Sequence, residues 1–383
     1  MKKCIFILMI LVFLMPMKAY GSDNINIDEE QMGKVNGLYD YISNMDNEND
    51  LLKNMSPKEF VENYMKNGQD SLGQKEIFKS ALGYLFKEVV ASFKIIGQLI
   101  IIAIVCALLN NLENAFSNEK FCNVAYFACF SVMIILIARG FYLGVQLTQQ
   151  VINSISDFMA ALMPVLIMLL ASVGSISQAL IMDPIIMGAC TLGTKLYSSI
   201  IIPIISMSFV LDFVNNISDE YNIQNLTSLL KKIALWIQGI FLTVFVGIMT
   251  IRGIASSSFD VVTTKTAKFA MDSFIPVVGK TLSDAFATVA SYTLLLKSSV
   301  SLLGVVVIIG IILLPIIKIF VMGFMYKLTS ALLQPVSDKR VADIIDSAGN
   351  SLMLLGSCII CVSIMFFIMI AIIAGTGKGF ILM

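Results

Sequence analysis

The residues able to do chemistry in this chain are a few ionised groups set in apolar sequence. Lys195 stands in Gly188-Ala-Cys-Thr-Leu-Gly-Thr-Lys195-Leu-Tyr-Ser-Ser, a polar, small-residue stretch between Asp183-Pro184 and Pro203. Asp157 opens another apolar run and is a candidate partner for it. A charge at membrane depth is costly, so such groups face protein or water rather than lipid. Lys94 and Lys318 lie nearer the ends of their runs, and their long stems can snorkel to the interface. A second group lies between 252 and 297: Arg252, Asp260, Lys265, Lys268, Asp272, Lys280 and Asp284, with Pro276 and Gly279 among them. Lys265, Lys268 and Asp272 share one helical face, because steps of three and seven residues return to nearly the same azimuth. The segment reads as an amphipathic helix at the cytoplasmic interface, a re-entrant pair, or a helix lining a wet cavity. Asp157, Pro164, Lys195, Arg252, Asp260, Lys265, Lys268, Asp272, Pro276 and Asp284 are the candidates for lining an aqueous path or a partner surface.

Other chemistries are excluded or unsupported. Histidine is absent, which removes His-based acid–base catalysis, Ser–His and Cys–His pairs, and His-ligated metals. No Walker A loop, GxSxG elbow or HExxH occurs, so no enzyme is expected. Cys358-Ile-Ile-Cys361 matches Cys-x-x-Cys, yet it lies in continuous apolar sequence with no basic neighbour to lower a thiol pKa. None of the 7 cysteines falls in residues 22–87, so no disulfide framework is implied. Nothing signals a bound cofactor or metal.

Pro164, Pro203 and Pro315 interrupt three runs. Proline frees a carbonyl and kinks a helix, and broken helices line substrate sites in transporters. Gly140-Phe-Tyr-Leu-Gly144 is a lone GxxxG, weak as a dimerisation motif.

The elements that position these residues follow from composition. The 383 residues are 57% hydrophobic and 14% charged, against about 45–50% and about 25% for soluble domains. That predicts an all-α, polytopic membrane protein. Net charge is +0, which disfavours a nucleic-acid binder built on a basic surface. Residues 1–21 read as a cleavable signal peptide: Lys2-Lys3, an apolar run from Cys4 to Met15, then Ala19-Tyr20-Gly21. Residues 22–87 carry 12 acidic and 7 basic residues and read as a small helical extracytoplasmic region. Ser56-Pro57-Lys58-Glu59 starts a helix with a Ser cap, Pro at the first position and a capping box, and Gly68 ends it. Ile77, Phe78, Ala81, Leu82 and Leu85 form one face of a helix that runs into the first span.

Residues 88–383 read as a transmembrane domain of about seven helices, at roughly 89–109, 121–139, 157–173, 185–211, 233–251, 298–325 and 350–374. Phe141 to Ile155, uncharged but rich in Gln, Thr, Ser and Asn, stands apart as an interfacial or buried helix. With the leader outside, this order puts Lys120, Arg252, Lys265, Lys268, Lys280, Lys297 and Lys378 inside. It puts Arg139, Lys231, Lys232, Lys327, Lys339 and Arg340 outside. Seven against six leaves the positive-inside rule undecided, and the signal sequence sets the orientation.

Several stretches taken together resemble the stage III sporulation protein AE family. They are Ala161-Leu-Met-Pro-Val-Leu-Ile-Met-Leu-Leu-Ala171-Ser, Arg252-Gly-Ile-Ala, Thr263-Thr-Lys-Thr-Ala-Lys-Phe-Ala270, Ser273-Phe-Ile-Pro-Val-Val-Gly279-Lys-Thr-Leu-Ser-Asp284, Leu294-Leu-Leu-Lys297 and Gln334-Pro-Val-Ser-Asp338. The likeness runs from about residue 80 onward and is most specific over 252–297. It implies a multi-pass membrane protein of endospore-forming bacteria, made in the mother cell. It further implies a place in a multi-protein channel to the forespore, with ring-forming subunits and an ATPase subunit as separate partners. The family brings no catalytic residues to carry over. The expected function is therefore a non-enzymatic channel subunit, with the lipid bilayer as its surroundings, no nucleic acid, and room for a homo-oligomer. The alternatives are a self-sufficient permease for a small solute and a non-conducting scaffold.

Overall fold

The computed structural model describes the backbone of residues 29–45, 56–67, 74–115, 119–172, 188, 191–217, 223–274, 279–335, 337 and 339–376. The expected signal peptide at 1–21 and Pro276 lie outside the described residues, as do the side chains of 74–82, 92, 94–96 (Lys94 among them), 109–127, 216–217 and 252–290. The described elements are all helices. We number them α1 (Glu29–Met45), α2 (Pro57–Asn67), α3 (Gln74–Ala115), α4 (Glu119–Ser172), α5 (Ile202–Ile217), α6 (Gln224–Phe274), α7 (Gly279–Leu333) and α8 (Lys339–Gly375). A π-helical turn, Tyr197–Ile201, precedes α5.

Local chemistry accounts for the boundaries. At α2 the Ser56 hydroxyl accepts from the Glu59 amide at 3.4 Å, and Pro57 takes the first helical position, where its missing N–H costs nothing. At the π-turn Ile202 N–H donates to the Tyr197 carbonyl. Pro203 comes next; it lacks an N–H and its ring crowds the carbonyl four residues back, which favours a widened turn before it. Pro164 and Pro315 lie inside α4 and α7, which continue through them. Without water to receive freed backbone groups, an apolar helix absorbs a proline rather than ending at it.

The largest difference from expectation is α4. The separate spans at 121–139 and 157–173, with a distinct polar segment between, are one unbroken helix of 54 residues. The polar residues of 141–155 are not breakers, and several satisfy themselves along the helix. Thr148 Oγ1 donates to the Gly144 carbonyl at 2.8 Å, and Gln146 Nε2 to the Tyr142 hydroxyl at 3.1 Å. At 1.5 Å per residue α4 is about 80 Å long, well over twice a hydrocarbon core of about 30 Å.

Five described helical stretches are long and apolar enough to cross a membrane: Ala128–Ser172, Thr191–Asn215, Gln224–Ile251, Ser291–Leu333 and Lys339–Gly375. The last is the centre of the packing. α8 lies against α4, α5, α6 and α7, and Leu352, Leu355, Cys358, Ile359, Val362 and Phe366 on its inner side are fully buried. Large apolar side chains point outward elsewhere, including Trp236, Ile240 and Ile251 on α6, as lipid-facing positions require.

Glycine lets the helices close. A β-carbon on Gly349 of α8 would lie 2.9 Å from the Gly323 carbonyl oxygen of α7 and 2.9 Å from Lys327 Cγ. Gly140 and Gly144, the lone GxxxG, are used inside the chain: one receives the Tyr326 hydroxyl and the other Leu352. Neither is free for dimerisation. Small residues at such crossings are how membrane helices gain dispersion contact.

The same contacts fix direction. Gly140 meets Tyr326, Phe141 stacks on Phe209 with centroids 3.7 Å apart, and Gly323 meets Gly349 at one end. Ser156 meets Thr194, Gly193 meets Met365, and Lys297 meets Thr376 toward the other. Hence α5 and α7 run opposite to α4 and α8, and α6, with Lys231 at Asp212 and Phe241 near Gly193, runs with the latter two. The short helices α1 and α2 pack on α4 and α7. Val35, Leu38, Ile42 and Val61 are buried in the same core cluster as the long helices, so the leader has no separate core.

Candidate functional site

The two ends of the bundle differ in chemistry. At the first end Lys231 Nζ donates to Asp212 Oδ2 at 2.5 Å, with side chains 20% and 11% exposed. Lys327 Nζ meets Asp346 Oδ1 at 3.2 Å, in a more open setting of 38% and 46%. Asn350 Nδ2 donates to the other Asp346 oxygen at 2.7 Å. Arg139, Lys232 and Lys339 are exposed nearby. This is a charged girdle drawn from α4, α5, α6, α7 and α8.

The second end carries the leader. Tyr39 of α1 lies within electrostatic reach of Glu62 on α2 and Tyr292 on α7, and Tyr41 within reach of Asp157 on α4. Burial, then the Glu62 carboxylate and Tyr292, push the Tyr39 phenol well above its ordinary value. Burial, then Asp157, push Tyr41 up. Lys297 of α7 is fully buried. Its ammonium donates to the Thr376 carbonyl just beyond α8, while Ser301 Oγ donates to the Lys297 carbonyl at 2.8 Å. A cation on the last carbonyls of a helix C-terminus offsets the negative end of the helix dipole.

Between the ends is a small polar cluster. Gln238 of α6, 2% exposed, donates from Nε2 to Cys358 Sγ at 3.2 Å and accepts at Oε1 from Ser357 Oγ at 3.2 Å. Cys361 Sγ approaches the same oxygen at 3.7 Å and shares a hydrogen bond with Tyr197 of the π-turn. The cysteines of Cys-x-x-Cys are thus held as weak hydrogen-bonding groups on an amide. Tyr326 Oη is buried without a hydrogen-bond partner among the described residues.

The structure gathers some of the candidates and not others. Thr194 Oγ1 donates to Ser156 Oγ at 2.9 Å, so their chain neighbours Lys195 and Asp157 lie at one level of the bundle, at the leader end. Both side chains are exposed, as is Pro164. Arg252, Asp260, Lys265, Lys268 and Asp272 lie on the last stretch of α6, and Asp284 near the start of α7; their side chains lie outside the described set. Sequence reasoning did not single out Gln238, Lys297 or the Asp212–Lys231 pair. Gln238 carried a usable signal, being the one amide in the 233–251 run. Lys297 carried little, since its partner is a backbone carbonyl 79 residues away. Among the described residues no group of three or more Cys, Asp or Glu is placed to hold a metal ion.

A family model described as stage III sporulation protein AE matches residues 55–377. A relative called stage III sporulation protein AE, from Bacillus subtilis (strain 168), is 35% identical over 312 residues, covering 82% of this chain and 78% of that protein. No solved structure matches.

Proposed function

From the premise that this chain belongs to the stage III sporulation protein AE family, we propose that it is a non-enzymatic membrane subunit of the multi-protein channel through which a mother cell supports its forespore. It acts in stage III of sporulation, in the mother-cell membrane facing the forespore. Its leader is extracytoplasmic and meets ring-forming subunits, while an ATPase subunit supplies energy from elsewhere in the assembly. Asp157, Lys195 and the charged residues of 252–284 serve as partner contacts.

The observation that supports a subunit over a solitary permease is the packing around α8. Its inner side is buried largely among apolar side chains, its buried Ser351 and Ser363 donate to carbonyls of their own helix, and the Gln238 cluster is satisfied by its own members. A hydrophilic solute crossing one bundle would need a continuous polar, hydrated lining. In this reading conduction runs between this chain and its neighbours.

Two measurements test it. The purified chain alone in liposomes should neither accumulate nor release small solutes; robust flux from that preparation alone would favour the permease. In an endospore former, Asp157→Leu and Lys195→Leu should lower spore yield with the protein still present in the membrane. Undiminished yield removes those residues from the site.

A further inference from the structure

The segment 252–290 fits a cytoplasmic interface only if it lies across the membrane from the leader, and the geometry assigns it elsewhere. We propose that α1, α2, the stretch of α6 beyond Ile251, the start of α7 and the C-terminal end of α8 emerge together as one extracytoplasmic face. A partner of those two stretches is then an extracytoplasmic protein, and a cytoplasmic partner can reach only the opposite, charged end. That the shared face is extracytoplasmic rests on the exported-leader reading; that it is shared does not.

One hydrogen bond, the packing of α1 on α4 and α2 on α7, and two electrostatic proximities place these elements at one end. Lys297 of α7 donates to the carbonyl of Thr376, at the end of α8. Tyr39 of the leader lies within electrostatic reach of Tyr292, five residues earlier on α7. Tyr41 lies within reach of Asp157, whose neighbour Ser156 bonds Thr194 at that same end. The opposite end is marked by the Lys231–Asp212 and Lys327–Asp346 pairs. The leader therefore cannot be separated by the bilayer from the start of α7.

Two helical stretches continue from this face. α7 begins at Gly279, 18 residues before Lys297, so it extends about 27 Å past the end of α8. α6 runs on beyond the membrane-length stretch ending at Ile251 as far as Phe274, about 35 Å further. Residues 252–290 hold four basic and three acidic side chains with many Ser and Thr, a composition that hydrocarbon does not accept in two helices. The chain thus forms an arm rising from the leader's side.

Sided labelling tests this on the full-length, membrane-inserted chain. Ser56→Cys reports the leader, Thr264→Cys the arm and Gln334→Cys the α7–α8 turn, each read against the parent chain with a membrane-impermeant maleimide. In intact cells stripped of wall, Ser56→Cys and Thr264→Cys should label and Gln334→Cys should label only after permeabilisation. Labelling of Thr264→Cys together with Gln334→Cys, opposite to Ser56→Cys, would overturn the shared face. So would a Thr264→Cys that reacts from neither side until detergent is added. Labelling of Gln334→Cys alone in intact cells would overturn the extracytoplasmic assignment. None of these outcomes depends on solute flux or spore yield, so the channel reading stands or falls separately.

Discussion

The girdle end and the leader end solve the same problem, joining helix termini in a chain poor in polar groups, by different means. At the girdle, charge meets charge: Lys231 with Asp212 and Lys327 with Asp346, partly open to water, above a backbone-to-backbone approach of Gly323 and Gly349. At the leader end one fully buried ammonium, Lys297, meets a carbonyl, and the phenols of Tyr39 and Tyr41 lie within electrostatic reach of Tyr292 and Asp157. Water screens the first kind of contact and hardly reaches the second. Equal numbers of polar groups should therefore contribute unequally.

Perturbation should expose that inequality. The largest effect is expected at Gly349→Leu, where the added carbons meet backbone that cannot yield. A loss of about 3 kcal/mol should appear as a lowered unfolding midpoint in detergent. Lys297→Met comes next. It leaves the Thr376 carbonyl buried without its donor, costing about 2 kcal/mol, and should make the end of α8 fray into a protease-sensitive segment. Unchanged stability there would mean that the buried cation is no fastener.

Double-mutant cycles should then rank the girdle pairs. Coupling of about 1 kcal/mol is expected for the more buried Lys231–Asp212 pair and below about 0.5 kcal/mol for Lys327–Asp346. The reverse order would show that burial is not what distinguishes them. The smallest effect is on pH. The Tyr39 phenol is held above its ordinary value by burial, so its contribution to docking is complete while the free phenol is protonated. It declines as pH rises past about 10. Protease sensitivity of α1 should increase over that range, and Tyr39→Phe should flatten the dependence.

Much of the local structure was legible in residues. Ser56-Pro57-Lys58-Glu59 specified a helix start that the hydroxyl–amide bond of Ser56 and Glu59 realises. The helix expected over Ile77 to Leu85 continues into the apolar stretch after it, giving α3 its 42 residues. The joining of 121–139 to 157–173 was not legible, because Gln and Thr resemble a break in a hydropathy profile yet bond within the helix. Nor was the side on which the leader docks. Dividing α4 in two changes the number of crossings, and a charge tally of seven against six carries no sign that the helix is continuous. Asp157 and Lys195 stand out in sequence by type, whereas Lys297 does not, because a carbonyl partner leaves no mark in sequence.

Sequence alone determined that the chain is helical, apolar enough for several crossings, without histidine chemistry, and of the stage III sporulation protein AE family. Those properties follow from composition, periodicity and motif, which are local. Only the tertiary structure decided which helices are continuous, which end each charge occupies, and that α8 is the axis of packing. Those depend on contacts between residues far apart in the chain, such as Lys297 with Thr376 and Gly140 with Tyr326. A hydrophobic pattern constrains that a side faces lipid or core, and only close packing selects the neighbour.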